Sequence, residues 1–268
     1  MDPRPISDDP NYRASGKLLD KVAIVTGGDS GIGKSVAICF AKEGADVVIV
    51  FLRKEEERDA FETQSIIEER YGRRCLPIRA DLRLEQNCYN VVEQTIEYFG
   101  HLEILVLNQG VQFPQKSILD ITEEQLDNTF RTNIYPHFFL TKAALPYLAP
   151  GSSIISTSSI TAYRGTNLLV DYSATKGAIV SFTRSLSLQL FADYGIRVNA
   201  IAPGPFYTPL IVSSYDAEYV SHFGCETAVH KAGQPYQIAP SYVYLASDDS
   251  QFVSGVVLHI NGGINTQT

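Results

Sequence analysis

The sequence predicts one α/β domain with a doubly wound parallel sheet of about seven strands and helices on both faces. From Lys21 onward, continuous apolar segments of strand length alternate with segments of helical periodicity. Apolar strands without a polar face are typical of parallel sheets that helices cover on both sides. The chain has 268 residues and contains no internal repeat or linker-like segment, so one large domain accounts for its length.

Each predicted strand is a short run dominated by Val, Ile, Leu and other apolar residues, which suit a buried sheet. In chain order the strands are KVAIVTG, ADVVIVFL, CLPIRADL, EILVLNQG, SSIISTSS, IRVNAIAPG and VVLHI. The last strand is expected at one edge of the sheet, where its backbone groups lack a neighbour. An exposed edge of this kind predicts pairing with a second copy of the chain across a two-fold axis.

The predicted helices carry apolar residues at intervals of three and four, as a helix with one buried face requires. In order they are GIGKSVAICFAKEGA, KEEERDAFETQSIIEERYG, a helix through VVEQTIEYFG, a long helix over residues 122–148, one over residues 172–194, and QIAPSYVYLAS. The last helix has more apolar surface than one covering face requires, which also favours subunit contacts. The residues concerned are Tyr242, Val243, Leu245 and Ala246.

Two segments fall outside this alternation. Residues 1–17 are rich in Pro and Asp and are expected to form an extended arm, either solvated or packed on the body or a neighbouring subunit. Residues 205–235 show no clear periodicity, and loops of that length in a compact domain are usually functional. We therefore expect a substrate lid around residues 205–235 within a domain that spans residues 18–268.

The composition argues against several classes of protein. Thirty acidic against 22 basic residues give a net charge of −8, which does not favour nucleic-acid binding. No apolar run approaches the ~20 residues of a membrane helix, and the N-terminal residues lack the apolar stretch of a signal peptide. The four cysteines and five histidines show no metal-ligand spacing and no C-x-x-C pair, so we expect no metal, no disulfide framework and a cytoplasmic location.

A glycine-rich turn joins the first strand to the first helix. Gly27, Gly31 and Gly33 in TGGDSGIGKS let the backbone turn sharply and approach a pyrophosphate, for which the helix N-terminus supplies N–H groups. Glycines are also required by a plain strand-to-helix turn, but their position after the first strand favours a dinucleotide site. Asp29 inside the turn is unfavourable beside phosphates, and the sequence offers no explanation for it.

The end of the second strand indicates which dinucleotide is bound. No acid precedes Glu55 there to accept the adenosine 2′-hydroxyl, whereas Arg53 and Lys54 could pair with a 2′-phosphate or simply begin a charged helix. We therefore expect NADP(H) to be favoured over NAD(H). Asp81, followed by Leu82 at the end of the third strand, is placed to accept the adenine amino group or to cap the next helix.

Tyr172 and Lys176 lie four residues apart, on one face of a predicted helix. A nearby ammonium stabilises tyrosinate, so the pKa of Tyr172 is expected to fall below 10 and the phenol to exchange a proton with a substrate oxygen. Thirteen residues upstream of the tyrosine, Ser159 ends a strand together with Ser158, and either hydroxyl could hold a substrate carbonyl or merely cap the strand.

These motifs, in this order and spacing, resemble the short-chain dehydrogenase/reductase family over residues 18–263. Within it, GDSGIG, YRASGKL, LLVDYSATKGAI and RVNAIAPGP resemble the branch of aldehyde reductases and glucose/ribitol-dehydrogenase-like proteins. The resemblance implies a Rossmann-type sheet of seven strands, a nicotinamide cofactor, a small-molecule substrate and commonly a homotetramer. It rests on TGGDSGIG at residues 26–33, Asp81-Leu82, Asn108-Gln109-Gly110, Asn133, Ser159, Tyr172-Ser173-Ala174-Thr175-Lys176 and Pro203-Gly204.

The resemblance also implies roles for individual residues. Tyr172 would be the general acid/base, and Lys176 would bind the nicotinamide ribose and lower the pKa of the tyrosine. Ser159 would orient the substrate oxygen, and Asn133 would hold a water in the proton relay. The expected cofactor contacts, beyond Tyr172 and Lys176, are Gly27, Ser30, Gly31, Ile32, Gly33, Arg53, Asp81, Leu82, Asn108, Gly110, Pro203, Gly204 and Thr208.

One departure from the family pattern bears on the pocket. The family usually has Asn-Asn-Ala-Gly after the fourth strand, whereas this chain has Leu107-Asn108-Gln109-Gly110. Gln109 replaces a small residue there and could project towards the adenosine or the substrate side. Arg164 and Asn167 border the expected mouth of the pocket, and the lid carries His222 and His230 as further substrate candidates.

Three functions remain open on this basis. The first is an NADP(H)-dependent oxidoreductase that interconverts a carbonyl and an alcohol. The second is a family member diverted to non-redox isomerisation or cyclisation in a secondary-metabolite pathway. The third is a cofactor-sensing regulatory protein, which the proton-relay residues argue against because a sensor has no need of them.

Overall fold

A seven-stranded parallel sheet forms the centre of the computed structural model, which describes residue 1 and residues 3–266. The strand order is β3-β2-β1-β4-β5-β6-β7, and every neighbouring pair is parallel. The chain therefore winds outward in both directions from β1, as predicted. The strands are β1 (Val22–Thr26), β2 (Asp46–Phe51), β3 (Cys75–Arg79), β4 (Leu102–Leu107), β5 (Leu148–Thr157), β6 (Arg197–Pro203) and β7 (Val257–Ile260).

Helices cover both faces of this sheet and bury a separate apolar cluster on each. One cluster contains Phe40 of the first helix and Ile49, and the other contains Val91, Leu105 and Leu140. The helices are α1 (Gly31–Lys42), α2 (Glu57–Ser65), α3 (Glu85–Phe99), α4 (Glu123–Asn133), α5 (Tyr135–Ala144), α6 (Thr161–Arg164), α7 (Val170–Tyr194), α8 (Pro209–Ser214), α9 (Ala217–His222) and α10 (Ala239–Ala246). Among the described residues, no helix combines the length and apolar composition needed to cross a bilayer.

The long helix predicted over residues 122–148 is two helices. α4 ends at Asn133 and α5 begins at Tyr135, with Ile134 between them at φ −118° and ψ −46°. Pro136 explains the break, because proline has no N–H to donate to the carbonyl four residues earlier and suits only the first turn of a helix. The interruption places Asn133 at a helix end instead of inside a continuous helix.

The apolar surface at the β7 edge of the sheet differs from the one predicted. β7 is at the edge of the sheet, as predicted. The four residues of α10 that were expected to add exposed apolar surface are buried within the monomer, at 0–2% exposure, because α10 packs against α1 and the sheet. The exposed apolar residues near this edge are instead Phe252, at 97%, and Val256, at 40%.

The N-terminal arm packs on the body of the domain without forming a helix or a strand. One of its anchors is the Glu43 carboxylate, which accepts hydrogen bonds from the Tyr12 hydroxyl at 2.5 Å and from the backbone N–H groups of Ser15 and Lys17 at 3.1 and 2.9 Å. Glu43 is 1% exposed. Burial alone would raise the pKa of Glu43, but these hydrogen bonds outweigh it and lower that pKa.

We predict that Glu43→Ala loosens residues 12–17 of the arm and lowers the free energy of unfolding by about 2 kcal/mol, because three hydrogen bonds to a buried carboxylate are lost. Chemical denaturation measures the loss, and trypsin should then cut the arm at Arg13 or Lys17. The contribution of Glu43 is fully present above its unfolded pKa of about 4.3 and disappears as the pH falls through the lower folded value.

Glu57→Ala is the matched control for this prediction. Glu57 pairs with Arg79 at 3.2 Å, and the two side chains are 36% and 50% exposed. An exposed pair of this kind contributes less than about 1 kcal/mol. Equal stability losses in the two variants, or an arm that stays resistant to trypsin in Glu43→Ala, would contradict the role given to Glu43.

Candidate active site

A cavity of about 530 Å³ opens along the carboxyl ends of the strands and brings together the residues singled out in the sequence. In a doubly wound sheet this is the edge at which ligands bind, because the strand order reverses there. All the expected catalytic and cofactor-contact residues line the cavity except Gly33 and Asn133, which pack behind its wall. The described residues contain no group of three His, Cys, Asp or Glu side chains that could hold a metal ion.

The glycine-rich turn forms one end of the cavity. Gly27 and Gly31 adopt positive φ angles of 63° and 53°. A Cβ on Gly33 would lie 2.0 Å from the Gly27 carbonyl oxygen, so only glycine fits there. Ser30 is the N-cap of α1 and makes no side-chain cap hydrogen bond, and Ile32 follows in the first helical turn. A bare helix N-terminus behind a glycine turn fits the pyrophosphate of a dinucleotide.

Asn108 ties this turn to the neighbouring strands. Its backbone N–H donates to the Thr26 hydroxyl at 2.8 Å, and its side-chain amide donates to the Thr26 carbonyl at 3.1 Å. The Thr157 hydroxyl donates to the Asn108 side-chain oxygen at 3.1 Å. Asn108 therefore fixes the carboxyl ends of β1, β4 and β5 relative to one another.

Gln109 lines the cavity, and its side chain is held by two neighbouring residues. Its side-chain oxygen accepts from the Thr26 hydroxyl at 2.5 Å, and its amide nitrogen lies 3.4 Å from the Thr132 carbonyl. In a continuous helix the Thr132 carbonyl would accept a hydrogen bond from the N–H of residue 136, but Pro136 has no N–H. The unusual glutamine thus supplies a hydrogen bond that the break between α4 and α5 leaves open.

The charged residues after β2 differ in their access to the cavity. Arg53 lines it, whereas Lys54 does not. The Glu56 carboxylate accepts hydrogen bonds from the backbone N–H groups of Leu52 and Arg53, at 3.0 and 2.8 Å. Asp29 also lines the cavity, and burial together with nearby Glu56 raises its pKa to about 6. Arg53 is therefore the cation of this segment that faces the cavity.

Asp81 is held by an arginine. Arg83 donates to both Asp81 carboxylate oxygens, at 2.9 and 2.7 Å, and this pairing lowers the pKa of Asp81. The alternative of a helix cap is wrong, because α3 begins after Leu84. Leu82 is buried beside Asp81 at 7% exposure.

Tyr172 and Lys176 lie at the opposite end of the cavity and are 8% and 3% exposed. The Lys176 ammonium lies 5.4 Å from the centroid of the Tyr172 ring and donates to the Thr157 carbonyl at 2.7 Å. Burial raises the pKa of Tyr172 to about 12, an effect that the Ser159 hydroxyl partly offsets, and burial lowers the pKa of Lys176 to about 7. The expectation that Lys176 brings the pKa of Tyr172 below 10 is therefore wrong, because the removal of both groups from water dominates.

The two serines at the end of β5 differ in availability. The Ser158 hydroxyl donates to the Lys176 backbone carbonyl at 2.8 Å. The Ser159 hydroxyl accepts from the Thr161 N–H at 3.1 Å, which leaves its own hydrogen free for a further partner in the cavity. The geometry thus favours Ser159 over Ser158 as the group that contacts a substrate oxygen.

Asn133 clamps the segment that follows Gly110. Its side chain accepts from the Val111 N–H at 2.8 Å and donates to the Val111 carbonyl at 3.0 Å and to the Thr175 hydroxyl at 3.1 Å. One helical turn further on, His137 is buried, and neither ring nitrogen has a partner among the described residues. Burial and the nearby Lys176 lower the pKa of His137 to about 3, so it is neutral.

The segment after Pro203 and Gly204 covers the cavity. Thr208 precedes α8 and packs against Gly31, so the first part of the segment contacts the glycine-rich turn. Farther along, the Tyr215 and Tyr219 rings stack with centroids 3.9 Å apart. His222, His230 and Asn167 do not line the cavity. Sequence reasoning missed Gln112, Thr161, Phe223 and Glu226 as lining residues, because none of them belongs to a recognisable motif.

Comparisons with known proteins agree with this geometry. A family model described as enoyl-(acyl carrier protein) reductase, which belongs to the short-chain dehydrogenases/reductases, matches residues 27–265. A glucose and ribitol dehydrogenase of Daucus carota is 50% identical over 266 residues, covering 98% of this chain and 91% of that protein. An NADPH-dependent aldehyde reductase of Arabidopsis thaliana, a chloroplastic protein, is 46% identical over 267 residues, covering 98% and 92%.

A solved structure matches the fold as well. A short-chain dehydrogenase from Burkholderia cenocepacia in complex with NADP has a TM-score of 0.86 and 31% identity, covering 92% of this chain and 98% of that one. The family match and the two plant enzymes extend over nearly the whole length of the chain. The chain belongs to the short-chain dehydrogenase/reductase family and is an NAD(P)-dependent oxidoreductase acting on alcohol and carbonyl groups.

Proposed function

We propose that the enzyme uses NADP(H) to interconvert a small-molecule carbonyl and its alcohol through a proton relay of Tyr172, Lys176, Ser159 and Asn133. The observation that carries this proposal is that one cavity has a glycine turn and Arg53 at one end and buried Tyr172 and Lys176 at the other. When bound, the nicotinamide cofactor supplies or accepts the hydride. No observation at the site favours the non-redox alternative of isomerisation or cyclisation.

Each relay residue has a distinct task in this proposal. Tyr172 is protonated near neutral pH, because its pKa is about 12, and donates its phenol proton to the oxygen of a carbonyl that is being reduced. Ser159 orients that oxygen with its hydroxyl hydrogen. Lys176, anchored on the Thr157 carbonyl, stabilises the phenolate as it forms, and Asn133 positions the adjoining backbone and a relay water.

The cofactor contacts follow from the lining of the cavity. The amides at Ser30, Gly31 and Ile32 would face the pyrophosphate, with Asn108 and Gly110 behind the central part of the cofactor. Asp81 and Leu82 would flank the adenine. At the lid base, Pro203, Gly204 and Thr208 would border the nicotinamide.

NADP(H) is favoured over NAD(H) in this proposal because Arg53 faces the cavity and forms no ion pair with another described residue. The Arabidopsis relative is named for NADPH, and the Burkholderia enzyme was solved with NADP. Both comparisons support binding of NADP(H). The preference for NADP(H) over NAD(H) depends on Arg53.

We predict that Tyr172→Phe lowers kcat for carbonyl reduction by about 10²- to 10⁴-fold, because the proton donor is lost while the ring remains. Folding and NADPH binding should stay close to wild type, as measured by thermal unfolding and fluorescence titration. In the wild type, alcohol oxidation should rise with pH up to about pH 10, since it requires the phenolate of a group with a pKa near 12.

Tyr163→Phe is the matched control for this experiment. The Tyr163 hydroxyl is also buried and without a partner among the described residues, but it does not line the cavity. This variant should keep wild-type turnover. A Tyr172→Phe enzyme with wild-type kcat on a carbonyl substrate would rule out Tyr172 as the proton donor.

We predict that Arg53→Ala weakens NADPH binding by about 10- to 100-fold, because a charge-assisted contact to the 2′-phosphate is lost. NADH binding should change by less than about threefold. Fluorescence titration with each reduced cofactor measures both affinities. Lys54→Ala removes the neighbouring cation, which does not line the cavity, and should leave both affinities unchanged. Tighter binding of NADH than NADPH by the wild type would defeat the argument.

We further propose that residues 205–235 act as the substrate lid, residues 1–17 as an arm bound to the domain, and that the enzyme is cytoplasmic. Arg164 and Glu226 approach to 3.7 Å between α6 and the lid, which supports closure over the cavity. The arm is joined to the base of the lid by Ile6, which exchanges hydrogen bonds with Gln234 and Tyr236. The unpaired thiols of Cys39, Cys75, Cys88 and Cys225 are compatible with a reducing compartment.

For the assembly we propose a homotetramer in which β7 and the exposed Phe252 meet their copies across a two-fold axis. An unpaired edge strand beside an exposed aromatic ring favours association. Light scattering on the purified enzyme should give a mass near four times 29.6 kDa. Phe252→Ser should shift the distribution towards smaller species, and a monodisperse wild-type monomer at micromolar concentration would refute the proposal.

A further inference from the structure

Two side chains near the relay carry buried polar atoms that lack a hydrogen-bond partner. Among the described residues, such atoms that belong to the cavity lining are the amide nitrogen of Gln112 and the hydroxyl oxygen of Thr161. Gln112 is only 6% exposed. An unpartnered polar group inside a protein destabilises the folded chain, and a ligand in the adjoining cavity could supply the partner that the described residues do not.

The backbone holds both residues in fixed positions beside the relay. Gln112 follows Val111, whose N–H and carbonyl are both bound by the Asn133 side chain at 2.8 and 3.0 Å. The Thr161 N–H donates to the Ser159 hydroxyl at 3.1 Å. The two unpartnered groups are thus attached to the same residues that would hold the reacting oxygen and the relay water.

The chemistry of these two groups indicates what they recognise. A carboxamide presents a donor and an acceptor, which exchange places on a half-turn of the group, and a threonine hydroxyl does both. A substrate hydroxyl, which also donates and accepts, is the complementary neutral group. Apart from Lys176, which the relay uses, the charged residues of this end of the cavity are Arg164 and Glu226, and they pair with each other at 3.7 Å.

The stacked tyrosines of the lid are consistent with the same class of substrate. Tyr215 and Tyr219 both line the cavity, with ring planes inclined by 15°. A flat aromatic surface packs against the C–H groups of a carbon chain, and Gln112 and Thr161 offer hydrogen bonds to its hydroxyls. An entirely apolar substrate would leave Gln112 and Thr161 without partners.

We propose that Gln112 and Thr161 determine specificity by hydrogen-bonding a hydroxyl group on the carbon chain of the substrate, so that hydroxylated aldehydes are preferred over plain alkyl aldehydes. This inference rests on the proposed reduction of a carbonyl. It concerns substrate choice alone, since neither residue takes part in hydride or proton transfer.

The test compares D-glyceraldehyde with propanal, which have the same three-carbon chain with and without hydroxyls. With NADPH, the wild type should show a kcat/KM for glyceraldehyde at least about tenfold above that for propanal. Gln112→Met and Thr161→Val keep length and shape but remove the polar atoms. Each should lower kcat/KM for glyceraldehyde about tenfold, mainly through KM, and change that for propanal by less than about threefold.

Two matched variants separate recognition from a general disturbance of the site. Gln115→Met makes the same change three residues away, where the amide donates to Gln125 at 2.7 Å and does not line the cavity. Thr161→Ser restores a hydroxyl at the position of interest. Both should keep the wild-type ratio between the two aldehydes. NADPH affinity should be unchanged in all four variants, thermal unfolding shows which of them fold, and if Gln112→Met does not fold, Thr161→Val decides alone.

The possible outcomes distinguish this inference from the proposed function. A wild type that reduces both aldehydes equally well, or variants that lose both activities in parallel, would overturn the role of Gln112 and Thr161 and leave carbonyl reduction intact. A wild type that reduces neither aldehyde, with no effect of Tyr172→Phe, would refute the proposed function and this inference with it. A selective loss on glyceraldehyde supports both.

Discussion

The burial of Lys176 beneath the carboxyl end of β5 is the constraint on which the geometry of the site depends. A buried ammonium is costly unless it is hydrogen-bonded, and the Thr157 carbonyl at 2.7 Å provides a partner. Ser158 ties the same residue through its backbone carbonyl. Both ends of Lys176 are thus joined to β5, and Tyr172, one helical turn earlier, is positioned with it. The same burial lowers the pKa of Lys176 to about 7 and raises that of Tyr172 to about 12. Burial therefore determines both where the two side chains lie and how readily each is protonated.

The break between α4 and α5 adds a second constraint and explains the departure at Gln109. Pro136 cannot donate to the Thr132 carbonyl, and Gln109 reaches that carbonyl from the end of β4. The same break leaves Asn133 at a helix end, where its side chain holds both backbone groups of Val111. A small residue in place of Gln109 would leave the Thr132 carbonyl without this contact. Gln109 therefore compensates for the hydrogen bond that is lost at the break between α4 and α5.

Sequence patterns predicted the sheet, its covering helices and the end of the sheet at which the site forms, because continuous apolar strands and glycine turns are local signals. The split at Ile134 was missed since the apolar periodicity continues across it, and the short helices α8 and α9 have too few turns to show any periodicity. The raised pKa of Tyr172 depends on burial by distant segments. Gln112 could be identified only after all of its neighbours were known, because an unpartnered atom leaves no trace in the sequence.

At the adenosine end of the cavity, most charged side chains already have a partner within the protein. Arg83 neutralises Asp81, and Glu56 occupies the two backbone N–H groups that follow β2. Those amides are consequently not available to an anion, and a 2′-phosphate would depend on the exposed side chain of Arg53. Asp29, whose pKa is about 6, adds negative charge beside Glu56 as the pH rises above that value. The preference between NADP(H) and NAD(H) then depends on the attraction of a 2′-phosphate to Arg53 and its repulsion by Glu56 and Asp29. This preference should weaken with increasing ionic strength, because Arg53 is exposed to solvent.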